Sequence, residues 1–130
     1  MSESPKHVEH DAGKHGRLRL YRPRNYSRVI QIQRLAVEHD ETVLACAAAL
    51  GLAWQSGPSD HKPKADWVRL KGAWRYGEAV MDELVERGWT MMDIVTAGNA
   101  ALPIVLAMLS DMVSEAEVEA AEGFTGPGEG

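Results

Sequence analysis

Thr42-Val43-Leu44-Ala45-Cys46-Ala47-Ala48-Ala49-Leu50 is the stretch on which the fold of this 130-residue chain turns. It holds no charge and is dominated by alanine, the best helix former. Side chains this short let neighbouring helices approach closely, so the segment is expected to be a central packing helix. Asp40 stands just before it as the expected N-cap.

Downstream, Gln55 to Lys64 contains Gly57, Pro58, Ser59 and Pro63 and is expected to be a loop. Next, Trp67, Leu70, Trp74, Met81, Leu84 and Val85 fall on one stripe at helical spacing, with Val80 at its edge. Glu78, Asp82 and Glu86 face the other way, as a solvated surface would. The spacing predicts one helix from Asp66 to Arg87, weakened at Gly72 and Gly77 and stopped at Gly88. Thr90 and Asp93 form a capping-box pair, and Trp89 can staple onto Ile94, so a short helix is expected from Met91 to about Gly98. Pro103 has no backbone N–H to donate, so a last helix is expected to start or kink there. Ile104 to Leu109 is apolar all round and expected to be buried. Beyond Ser110 only Met112, Val113, Ala116 and Ala120 keep an apolar face.

Upstream, Asn25 or Ser27 can cap a helix running to about Glu38. Arg17 to Tyr21 alternates as an edge strand does, but no later segment offers it a partner, so it is expected to lie as a strap across the helices. Residues 1–16 have no apolar periodicity. The expected fold class is therefore all-α: a compact bundle of four to five helices. A disordered or extended basic arm occupies 1–24, the helical domain 25–121 and a flexible acidic tail 122–130.

The formal net charge of −5 is unevenly spread. Lys14, Arg17, Arg19, Arg22, Arg24, Arg28 and Arg34 form a run without an acid; Asp111, Glu115, Glu117, Glu119, Glu122 and Glu129 form one without a base. Such a chain can pair its ends, self-associate into a homo-oligomer or offer each end to a different partner. Arg17, Arg19, Arg22, Arg24 and Arg28, interleaved with Tyr21 and Tyr26, form a candidate contact for nucleic-acid phosphates or an acidic protein surface. Cys46 is the only cysteine, which fits a reducing, cytoplasmic compartment. Met1 to Lys14 has no apolar core of the kind a secretory signal needs. The uncharged stretches, Thr42–Ser59 and Ile94–Ser110, are shorter than the roughly 20 residues of a membrane span.

No constellation for chemistry emerges, so no enzyme, cofactor or metal is expected. His7, His10 and His15 lack a scaffold for tetrahedral geometry. Cys46 sits in an alanine-rich run, where a thiol behaves as a small hydrophobe. Met91 to Ala97, read as a recognition helix, carries Asp93 and no Arg or Lys, the wrong sign for phosphates. Five of the six methionines, Met81, Met91, Met92, Met108 and Met112, lie in the second half, and flexible thioethers suit varied apolar partners. These are the expected client-binding residues, with filling of an irregular core as the alternative.

In layout, Thr42 to Trp54, Tyr76-Gly77-Glu78-Ala79-Val80, Leu84-Val85-Glu86-Arg87-Gly88, Ile94-Val95-Thr96-Ala97-Gly98-Asn99 and the acidic end Glu115 to Gly130 resemble the small tail assembly chaperones of long-tailed bacteriophages. The resemblance implies a helical, non-catalytic protein of the host cytoplasm. It would keep the tape-measure protein soluble while tail-tube subunits assemble around it. The Arg-rich segment is not a feature of that family. It leaves open a structural virion component, such as a head-tail connector or neck protein, or a DNA-binding regulator acting through Arg17 to Arg34.

Overall fold

The structure, a computed structural model, describes the backbone of residues 7–123 and the side chains of residues 7–107 and 109. Its elements are β1 (His7–Asp11), a 3-10 turn (Gly13–His15), β2 (Arg17–Tyr21), α1 (Tyr26–Val37), α2 (Thr42–Gln55), α3 (Trp67–Leu70), α4 (Ala73–Glu86) and α5 (Met91–Gly123). The chain is mostly helical, with one small antiparallel sheet.

The alanine-rich segment becomes α2, and every residue from Leu44 to Trp54 is buried. Helices α1, α4 and α5 and strand β2 all pack on it. Asp40 is not its cap. Asp40 takes a left-handed φ of 55° while the Glu41 N–H bonds the Leu35 carbonyl at 2.8 Å, so this corner closes α1 and leaves α2 without a side-chain cap. At α1 the Asn25 side chain accepts the Arg28 N–H at 3.2 Å, and Val29, Ile32 and Leu35 point into the core.

Two glycines set how closely the helices approach. A Cβ at Gly77 of α4 would lie 2.8 Å from the Leu44 carbonyl, and one at Gly98 of α5 would lie 2.8 Å from that of Cys46. Both helices therefore rest directly on the α2 backbone.

The helix expected over Asp66–Arg87 is broken. Lys71 has φ 60° and Gly72 φ 135°, the latter a conformation open to glycine. Periodicity does not carry across such a break, and α4 turns a different face inward: Ala73, Tyr76, Gly77, Val80 and Leu84. Trp74 and Val85, expected in the core, are exposed, and Met81 is half-buried. The Gln31 side chain caps α4 from α1, accepting the Ala73 N–H at 3.2 Å.

The capping box forms as read. Thr90 Oγ1 accepts the Asp93 N–H at 3.1 Å, and the Thr90 N–H donates to Asp93 Oδ2 at 2.9 Å. The helix does not stop near Gly98, however, but runs through Pro103 to Gly123. Pro103 and Asn99, whose carbonyl loses its i+4 donor, are both exposed, so water can satisfy that oxygen, while Ala101 and Val105 stay buried. Of the apolar run from Ile104, Val105 is fully buried; Ile104, Leu106, Ala107 and Leu109 are half-buried.

The all-α expectation needs one correction. β2 does find a strand partner, and it lies earlier in the chain: β1, paired antiparallel with Val8 opposite Leu20 and His10 opposite Leu18. Leu18, Leu20 and Tyr21 are buried, so the strap is a hairpin and residues 7–21 are folded rather than a disordered arm. Residues 1–6 of that arm and 124–130 of the expected tail lie outside the described residues. The hairpin turn is held by His15, whose ring stacks on Trp89 at 4.5 Å and whose Nε2 lies 3.1 Å from Asp93 Oδ2.

The loop after α2 is tied at both ends. Gln55 Nε2 donates to the carbonyls of Pro63 (2.6 Å) and Ala65 (2.9 Å), and Gln55 Oε1 accepts the Tyr76 hydroxyl at 2.6 Å. Burial pushes the Tyr76 pKa well up, so the hydroxyl remains a donor. Glu83 receives the Lys64 N–H, and Arg87 donates to the carbonyls of His61 and Lys62.

Two predictions follow from these contacts. Exchanging glycine for alanine in a helix ordinarily stabilises by up to about 1 kcal/mol. At Gly98 the new Cβ meets backbone that cannot yield, so Gly98→Ala is expected to destabilise by about 1–3 kcal/mol in urea unfolding. The Thr90 N–H, and then His15, hold the Asp93 carboxyl below the usual carboxylate range. The stability this confers is present above the unfolded-state value of about 3.9 and is lost as pH falls through the depressed folded value. Trp89 fluorescence followed below pH 4 is expected to report this loss, and Asp93→Asn should abolish that acid limb.

Candidate protein-binding groove

Because α4 turns Trp74 outward, a surface groove forms between the first turn of α2 and the α4 residues from Trp74 to Asp82. It is lined by Glu41, Val43, Leu44, Trp74, Glu78, Met81 and Asp82 and has a volume of about 500 Å³. Leu44 is buried at its base, Met81 is half-buried, and Val43 and Trp74 remain 40% and 44% exposed. Leaving that much of a tryptophan in water forfeits burial energy of about 25 cal/mol per Å². The Trp74 ring is nevertheless held: Nε1–H donates to Glu78 Oε2 at 3.2 Å, and His39 meets it edge-on at 6.2 Å. Three carboxylates, Glu41, Glu78 and Asp82, border this apolar floor, and no Lys or Arg lines it. The arrangement can seat an apolar side-chain row flanked by polar groups.

The expected client-binding methionines are not gathered at one place. Met81 lines the groove, whereas Met91 and Met92 sit on the first turn of α5, 47% and 71% exposed. The side chains of Met108 and Met112 lie outside the described residues. Sequence reasoning missed Trp74 and Val43 as surface groups; Glu78 and Asp82 are exposed, as a solvated face requires, and also border the groove. The signal that could have found them is Lys71-Gly72, where a break resets the helical phase.

The basic residues are also redistributed by the fold. Across the hairpin Arg19 faces Glu9 and Arg17 faces Asp11, so two of the arginines have acids opposite them. Arg17 Nη1 also lies 3.6 Å from Glu9. Arg28 lies over the Trp67 ring at 5.3 Å. Arg22 and Arg24 are exposed and border a second cleft with His7, Val8, Leu20 and Ile104. The alternation of acids and bases on the hairpin lowers the local positive potential that phosphate binding needs.

Cys46 is buried, its thiol pKa pushed up by that burial, with Sγ 3.5 Å from Asn99 Oδ1. A thiol so held is protonated and a poor nucleophile. Among the described residues no group of three or more His, Cys, Asp or Glu could hold a metal ion, and no helix is long and apolar enough to cross a membrane.

Trp67 belongs to the core and Trp74 to the groove. Trp67→Ala, which empties a site against Tyr76, is expected to cost about 3–5 kcal/mol, whereas Trp74→Ala should stay within about 0.5–1 kcal/mol of the parent by thermal unfolding.

Compared with protein-family models, with curated proteins and with solved structures, the chain matches none.

Proposed function

We propose that this chain is a non-catalytic assembly protein that holds a helical protein client, in the manner of the phage tail assembly chaperones it resembles in layout. In that role it binds an amphipathic stretch of the tape-measure protein and keeps it soluble while tail-tube subunits assemble around it. The observation that carries the reading is the groove at Val43, Trp74 and Met81: exposed apolar surface held in place by the fold and bordered by polar groups. Such surface has a cost to solubility and is characteristic of a docking site. Exposed Met91 and Met92 add adaptable apolar area on α5. The acid-rich end from Asp111 onward gives a complex with an aggregation-prone client a net repulsive charge.

The test is co-expression with an aggregation-prone, tape-measure-like coiled-coil client. The soluble fraction of the client is expected to rise several-fold with the parent chain. It should fall back with a Trp74→Ala, Met81→Ser double variant whose circular dichroism matches the parent. No gain in client solubility with the parent chain refutes the proposal.

A further inference from the structure

We infer that the occupant of the groove is a basic amphipathic helix of a partner protein, with a Lys or Arg laid over Trp74 and among Glu41, Glu78 and Asp82. The inference rests on the groove being the client seat and adds the chemistry of what it takes. An apolar floor alone would accept any hydrophobic ridge. Here the floor is narrow, made by Val43, Leu44, Trp74 and Met81, and all three charged groups on its rim are negative. A partner with acids beside its apolar row would set like charges together, which opposes docking; one with bases gains charge complementarity. Trp74 adds a second preference of the same sign. The indole face attracts a cation, and its N–H is already given to Glu78, so the ring and the carboxylate form one electron-rich surface.

The chain's own basic segment is a poor occupant. Between Lys14 and Arg34 the apolar side chains Leu18, Leu20, Val29 and Ile32 are buried in the core, so a second copy would offer its arginines with only Tyr26 and the half-buried Ile30 beside them. The residues beyond Phe124 carry one acid and no base and have the wrong charge. Both segments are therefore poorer matches to the groove than a basic amphipathic helix of another protein.

The experiment uses the full chain and two synthetic amphipathic peptides of about 18 residues, one with Lys flanking its Leu row and one with Glu in the same places. Binding is read by peptide fluorescence anisotropy. The Lys peptide is expected to bind about tenfold more tightly or better, and to weaken as salt is raised. A Glu78→Lys, Asp82→Lys variant should reverse the preference; both positions are exposed, so the fold is expected to persist and circular dichroism checks it. Trp74→Leu, which keeps the floor apolar, should lose several-fold for the Lys peptide and little for the other. Equal affinity for the two peptides, or a Lys preference that survives the charge reversal, overturns the inference. So does sedimentation of the chain alone as a dimer that Glu78→Lys dissociates, since a second copy would then fill the groove. If the client is solubilised in co-expression without a Lys-peptide preference, the assembly proposal stands and this inference fails. A Lys preference without solubilisation supports the inference and leaves the assembly proposal to fail alone.

Discussion

The close approach of α4 and α5, through Gly77 and Gly98, to Leu44 and Cys46 of α2 is the constraint from which the remaining structure follows. Helices usually pack with side chains interleaved at 8–10 Å between axes. Where Gly77 meets Leu44 and Gly98 meets Cys46, the glycine brings no side chain to interleave. Helix α2 can be packed by α1, α4, α5 and β2 together because Ala45, Ala47, Ala48, Ala49 and Ala53 take so little room. Leu44, Leu50, Leu52 and Trp54 fill what remains.

With α2 fixed as an axle, the orientation of α4 is no longer free. Gly77 must face Leu44, which places Ala73, Val80 and Leu84 inward, and Trp74 then points to solvent. The break at Lys71-Gly72 makes this compatible with a buried Trp67, because α3 can turn independently, capped by Asp66 and covered by Arg28 and Tyr76. The groove is thus a by-product of packing at the adjoining face of α4, with Leu44 common to both. Its exposed indole is fastened by Glu78 and His39 rather than left to rotate, and a held apolar surface loses less entropy when a partner docks.

The long loop between α2 and α3 would ordinarily loosen such a body, since ordering it carries a conformational cost per residue. Here its carbonyls and amides are drawn to fixed side chains of α2 and at the end of α4. Gln55 serves the Pro63 and Ala65 end, Glu83 and Arg87 of α4 the centre, and Trp54 Nε1–H the Asp60 carbonyl at 2.9 Å. Tyr21 of the hairpin reaches the Pro58 carbonyl at 2.7 Å, so the hairpin and the loop brace each other. The hairpin is held again at its turn by His15 against Trp89 and Asp93, joining the first described residues of the chain to the start of α5.

Local chemistry was legible without the structure. The alanine run declared a buried helix, Asn25 and the Thr90–Asp93 pair marked helix starts, and Gly57, Pro58 and Pro63 marked the loop, because capping, propensity and turn preferences are settled within three or four residues. The tertiary structure decided the rest. β1 has one apolar side chain, Val8, and no alternation that would announce a strand; it exists because Leu18 and Leu20 are anchored in the core and present a free edge to it. Helix α5 passes through Pro103 because burial on either side outweighs one missing hydrogen bond. The face of α4 was misread by assuming an unbroken helix, and with it went the site: Trp74, Val43, Glu41, Glu78 and Asp82 come together only once Gly77 is seated on α2. Periodicity along a chain says how residues are spaced; which of them face water is determined by the neighbour they meet.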